Sequence, residues 1–144
     1  MPAARHSVVI VRPTSEVFAF FADAENDPRW RSGVEEMTRL GDLGVGARYR
    51  QRVAGPAGRT VSADIEVTAY EPDTHLAFRT VAGPVRPRGD YTFRELGGQT
   101  EVTLSLEVEL SGLMKVLLTK TVQETMDAEV ARLDRAKSVL EAQA

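Results

Sequence analysis

From Val34 to Leu110 the chain is cut at short intervals by turn residues, and this spacing narrows the possible folds more than any other feature. Gly41-Asp42-Leu43-Gly44-Val45-Gly46 parts a strand near 34–40 from one near 47–53, and Gly55-Pro56-Ala57-Gly58 opens a longer strand near 59–71. Glu71-Pro72-Asp73-Thr74 leads into 75–82, Gly83-Pro84 with Pro87 and Gly89 into 89–96, and Leu96-Gly97-Gly98-Gln99 into 99–110. Turns this short join antiparallel neighbours, because a parallel pair needs a crossover of about a dozen residues or more.

The strands also have sides. In 59–71, Val61, Ala63, Ile65, Val67 and Ala69 share a face opposite Thr60, Ser62, Asp64, Glu66 and Thr68. In 99–110, Val102, Leu104, Leu106, Val108 and Leu110 oppose Thr103, Ser105, Glu107 and Glu109. Side chains alternate along a strand, so one face of the sheet is buried and the other is wet. Beyond Gly112, residues 113–141 place Met114, Leu118, Val122, Met126, Val130, Leu133 and Leu140 at helical spacings. This predicts one continuous helix laying an apolar stripe across the inner face.

The N-terminal part supplies the remaining elements. Residues 6–11 are rich in β-branched side chains and read as a strand that Pro13 stops. Thr14 is placed to cap a following helix, with Glu16 in its first turn and Val17, Phe20, Phe21 and Ala24 on one face. Asp27-Pro28 reads as a second cap followed by proline at the first helical position, and Ser32-Gly33 ends that short helix.

At 144 residues, with 42% hydrophobic and 27% charged side chains, the chain is predicted to be one domain spanning 1–144. A net charge of −3 favours neither nucleic acid nor an anionic membrane surface. No basic–apolar leader opens the sequence and no apolar run approaches the ~18 residues of a membrane helix, so a cytoplasmic protein without integral membrane association is expected. Cysteine is absent, which removes disulfides, thiolate metal sites and thiol nucleophiles. The two histidines, His6 and His75, have no ligand-like neighbours, so no metal and no cofactor are expected. Gly44-Val45-Gly46 joins two strands without a following helix and is no phosphate loop, and no serine lies in a nucleophile elbow.

The order of elements, with Pro13-Thr14-Ser15-Glu16-Val17-Phe18, Asn26-Asp27-Pro28-Arg29-Trp30, Val45-Gly46-Ala47-Arg48-Tyr49, Tyr91-Thr92-Phe93-Arg94 and Gly97-Gly98-Gln99-Thr100-Glu101, resembles the SRPBCC superfamily. This is the START and birch-pollen-allergen group, which includes polyketide cyclases/dehydrases and lipid-transport proteins. The resemblance covers nearly the whole chain. It implies an α+β helix-grip fold: a curved seven-stranded antiparallel sheet around a long C-terminal helix, with two short helices after the first strand and a pocket for a hydrophobic small molecule.

Within that frame, Trp30 is either a seal between the short helices and the sheet or a wall of the pocket. Tyr49, Gln51, Tyr91 and Phe93 fall on the inner face, where buried polar groups need partners, and such groups converging on apolar surface are the usual make-up of a small-molecule site. The candidate ligand-binding set is Trp30, Tyr49, Gln51, Phe78, Tyr91, Phe93, Met114, Leu118 and Met126. Arg48, Arg50, Arg52, Arg79 and Arg94 fall on the outer face, where pairing with Glu66, Glu107 or Glu109 is expected. Glu35 and Glu36 are adjacent on a strand and point apart, so they make no acid–base pair, and Glu36 and Glu95 are expected at strand ends in water.

In aromatase/cyclase members an inward arginine on the long central strand is thought to polarise a polyketide carbonyl. The corresponding inward positions here are aliphatic, and no cation is expected inside. Binding or carriage of a lipid-like or aromatic molecule is therefore favoured, by a monomer or homodimer with no nucleic-acid partner. The alternatives are a polyketide cyclase/dehydrase-type enzyme with Tyr49 or Tyr91 as acid/base, and a partner-protein interaction module.

Overall fold

The computed structural model describes residues 1–143. Eight strands, β1 Ala3–Ile10, β2 Val34–Arg39, β3 Arg48–Ala54, β4 Thr60–Ser62, β5 Ile65–Glu71, β6 His75–Thr80, β7 Arg88–Leu96 and β8 Gln99–Glu107, form one antiparallel sheet. Its spatial order is β1-β8-β7-β6-β5-β3-β2, with β4 also on β3. The sheet curls around the C-terminal helical segment, α2 Gly112–Ala131 and α3 Leu133–Glu141. Helix α1, Thr14–Ala22, and a 3-10 helix, Ala24–Arg29, follow the first strand. This is the helix-grip fold. No helix among the described residues is long and apolar enough to cross a membrane.

The β7–β8 turn shows how local chemistry sets the register. Gly97 and Gly98 take φ of 58° and 87°, and Leu96 pairs with Gln99. Two positive φ values in a two-residue loop match the right-handed twist of the flanking strands, and glycine adopts them without a Cβ penalty.

The sheet departs from the expected pattern at two places. The long strand expected over 59–71 is broken at Ala63-Asp64 into β4 and β5, both paired to β3. There the Asp64 carboxylate accepts from the Gln51 backbone N–H at 3.1 Å, while Gln51 Nε2 donates to the Ala63 carbonyl at 2.6 Å. Side chains thus satisfy groups that a regular ladder would have paired. A register shift between Val67 and Ala69 then sets Tyr70 opposite Leu76, and Tyr70 meets Phe18 edge-to-face. The face predicted through Ala69 therefore holds only as far as Val67, because a bulge reverses the alternation.

Helices show corrections too. Thr14 does not cap α1: Pro13 occupies the cap position, and Thr14 Oγ1 lies 2.9 Å from Thr100 Oγ1. Asp27-Pro28 starts no helix but lies inside the 3-10 helix, whose cap is Asp23. The helix expected over 113–141 is interrupted at Arg132, whose N–H bonds the Glu129 carbonyl in a tight i→i−3 turn.

Leu133, Ala136 and Leu140 are fully buried, and Met126 and Val130 nearly so. Met114 and Leu118 are only half-buried, whereas Leu113, Val116 and Leu117 are exposed. The cause is length. Gln123 bonds Ala3 at the start of β1, and Asp134, Lys137 and Glu141 then meet His6, Val9 and Val11. The first turns of α2 therefore run past the strand they would need to cover.

Candidate functional site

Between the sheet and α2 lies a cavity of about 250 Å³. Its walls are mostly apolar: Phe21 from α1, Val53 from β3, Ile65 and Val67 from β5, Leu76 and Phe78 from β6, Leu104 and Leu106 from β8, and Met126 from α2. An aromatic group closes one side, where Phe21 lies 5.0 Å from Tyr91 and 5.7 Å from Trp30 between ring centres. Gly89 makes room for the wall residues Phe78 and Leu106. A Cβ there would stand 2.6 Å from Leu106 Cδ2 and 2.8 Å from Phe78 Cζ.

Of the residues predicted for the site, Trp30, Tyr49, Gln51, Phe78, Tyr91 and Met126 line the cavity together. Phe93, Met114 and Leu118 do not. Phe93 is buried against Phe18, 5.2 Å away, on the α1 side of the core, and the two helix residues belong to the overhanging turns of α2.

Sequence reading missed the charged end of the cavity. Arg31 follows Trp30 directly and turns inward, contrary to the expectation that no cation would be found there. Its Nη1 donates to Asp27 Oδ2 at 3.0 Å and to Gln51 Oε1 at 2.8 Å, and its Nε donates to Glu129 Oε1. Glu129 Oε2 also accepts from Arg132 Nη1 at 2.8 Å. Asp27 in the 3-10 helix and Arg31 just beyond it face the same side because the Arg31 N–H closes an i→i−4 turn on the Asp27 carbonyl at 2.8 Å. An opposite-charge pair at i, i+4 was the one local signal available. Glu129, 98 residues further on, gave none.

Burial shapes the electrostatics here. It pushes the Asp27 carboxyl up to about 6, against the lowering influence of Arg31. For Arg31, burial acts to lower the pKa, but Glu129 and Asp27 outweigh it and hold the guanidinium charged. Tyr91 is raised well above the ordinary tyrosine range by burial, then by the Asp27 and Glu129 carboxylates. Burial pushes Tyr49 up to about 12, and its hydroxyl donates to the Ala22 carbonyl at 3.4 Å. Both tyrosines are therefore neutral O–H groups near pH 7 and unsuited to act as bases.

Three polar groups here lack a protein partner among the described residues: Arg31 Nη2, the Tyr91 hydroxyl and Asp27 Oδ1. Trp30 Nε1 is also unpaired, sealed beneath its neighbours, at a cost of about 1–3 kcal/mol. Gln51 has spent both ends of its amide, on Arg31 and Ala63.

On the outer face strand arginines pair with carboxylates. Arg48 and Arg79 pair with Glu66 at 3.1 and 2.6 Å, Arg88 with Glu107 at 2.7 Å, and Arg94 with Glu101 at 3.1 Å. Glu36 pairs with Arg52 at 3.3 Å.

The profile of the family described as polyketide cyclase / dehydrase and lipid transport matches residues 1–137. A protein from Thermus thermophilus superposes with a TM-score of 0.82 at 25% identity over 98% of each chain. The Zhui aromatase/cyclase from a Streptomyces species gives 0.73 at 20% identity, over 96% of this chain and 93% of that one. A START superfamily protein from Mycobacterium smegmatis gives 0.68 at 16% identity, over 96% and 94%. No curated protein matches the sequence.

Proposed function

The chain belongs to the polyketide cyclase/dehydrase and lipid transport family, and from that premise we propose that it binds a hydrophobic or amphipathic small molecule between the sheet and α2. One observation carries this reading: the cavity is apolar along its length and polar at one end, where Arg31, Asp27, Gln51 and Glu129 meet. Apolar walls supply affinity by excluding water, and a few placed polar groups orient the ligand. A volume of about 250 Å³ exceeds the ~150 Å³ of an engineered cavity that holds benzene, which points to a body of about two fused rings.

Trp30 is the only tryptophan, so its emission reports on this cavity wall alone. An apolar fluorophore should bind saturably with Kd on the order of 1 µM and alter Trp30 emission. Absence of saturable binding would refute the proposal.

A second reading is enzymatic, and Arg31 is the observation that favours it. A buried guanidinium beside a neutral tyrosine can polarise a carbonyl, and a carboxyl near 6 can exchange a proton at neutral pH. In a broad substrate screen, a turnover loss of about 100-fold in Asp27→Asn with unchanged affinity would establish catalysis. Turnover absent from every variant would leave the protein a binder.

A further inference from the structure

We propose that the outward face of α2 is an interface for a second copy of this chain, the two α2 helices packing antiparallel about a twofold axis near Val122. This goes beyond the binding reading above and does not depend on the cavity.

The first support is what the face exposes. α2 packs mainly on β1, β8 and α3, and its first turns overhang the sheet. At 3.6 residues per turn, Leu113, Leu117, Lys120, Glu124, Ala128 and Ala131 share one side of the helix, away from the buried Met126 and Val130. All six are exposed, and Val116 adds another large apolar side chain at the edge of the face. A single exposed leucine is ordinary. Leu113, Val116 and Leu117 within five residues form a patch of the kind that marks an interaction surface.

The second support is charge. Lys120 and Glu124 sit at the centre of this face, exposed and with no ion-pair partner among the described residues. Within one helix, lysine placed four residues ahead of glutamate is the poorer orientation for a pair. An antiparallel copy supplies what the chain lacks. In one register Lys120 faces the partner's Glu124, and Glu124 faces the partner's Lys120. The same register sets Leu117 against the partner's Ala128 and Leu113 against the partner's Ala131, so each large apolar side chain meets a small one. Such reciprocal contacts are what a twofold axis requires. Glu124 also decides against an anionic bilayer as the occupant, because it would bring a carboxylate to the lipid phosphates. One helix pair is small beside a standard interface of about 1,600 Å². The dimer should therefore be weak, with Kd on the order of 10–100 µM.

Sedimentation velocity of the whole chain, from about 1 µM to about 1 mM, tests this. Wild type should pass from monomer to dimer across that range, whereas Leu117→Glu should stay monomeric. Lys120→Glu and Glu124→Lys should each weaken self-association by at least about tenfold, because like charges then face each other across the axis. An equimolar mixture of those two variants, one carrying a fluorescent label, should form a heterodimer about as strong as the wild-type dimer. That recovery is its own control for folding, since neither a misfolded chain nor a pair within one helix can produce it.

A wild type that remains monomeric throughout would overturn the proposal, and Leu117-dependent binding of that monomer to phosphatidylglycerol vesicles would assign the face to a membrane instead. A dimer indifferent to Leu117→Glu, or charge variants that do not recombine, would overturn it equally.

Discussion

Asp27 is held where three demands conflict. Its backbone closes the turn that aims Arg31, its carboxylate pairs with that arginine, and its burial opposes the charge the pair needs. A folded-state pKa of about 6 against 3.8 unfolded means the native protein binds this proton more tightly. Stability contributed by protonation is therefore present below about pH 4 and lost as pH rises through 6. Relative to Asp27→Asn, wild type should gain up to about 3 kcal/mol between pH 7 and 4, measured by urea melts across that window. A pH-independent difference would show that Asp27 titrates normally. The lowered pKa of Glu66, caused first by its bond from Arg79, acts with the opposite sign and below 4.5. The two tyrosines should also separate. Tyr49→Phe loses the bond to Ala22 and should cost about 1 kcal/mol. Tyr91→Phe removes a hydroxyl with no protein partner among the described residues and should stay within about 0.5 kcal/mol of wild type.

Among the elements, the C-terminal helical segment divides into a buried part and an overhang. Leu133 is fully buried while Leu117 is 64% exposed. Leu133→Ala should therefore destabilise by about 2–5 kcal/mol through lost burial and a new void. Leu117→Ala should change stability by less than about 0.5 kcal/mol. Similar losses at both positions, in parallel urea melts, would contradict the overhang. Gly89 tests the sheet side. A methyl there collides with Leu106 and Phe78, so Gly89→Ala should cost about 1–3 kcal/mol by overpacking. It should also weaken fluorophore binding, because both displaced side chains line the cavity.

At the scale of the whole molecule, an occupied cavity should stabilise the native state by mass action. Ligand at 100 times Kd adds about 2.7 kcal/mol, which for a chain of this size raises Tm by roughly 5–10 °C. Calorimetry with a saturating apolar probe checks this, and an unmoved Tm would show that the probe does not bind the native state in preference to the unfolded one. What the sequence by itself determined is the part that rests on periodicity and on neighbours in the chain. The alternation of Tyr49 and Gln51 against Arg48, Arg50 and Arg52 placed two polar groups inside and three cations outside, as the structure has them. The turn residues set the antiparallel neighbours from β2 to β8, and the helical spacing of Met126, Val130 and Leu133 set the face toward the sheet. Only the tertiary structure decided where these patterns stop. The bulge beyond Val67 and the break at Asp64 depend on a partner strand and on Gln51, and the overhang of α2 depends on where β1 begins. The charged end of the cavity is the extreme case. Asp27 read as a cap and Arg31 was assigned no role, because a local pattern assigns charges to solvent by default. They could remain buried only once Glu129, distant in the chain, was brought across by α2 to offset the cost of desolvation.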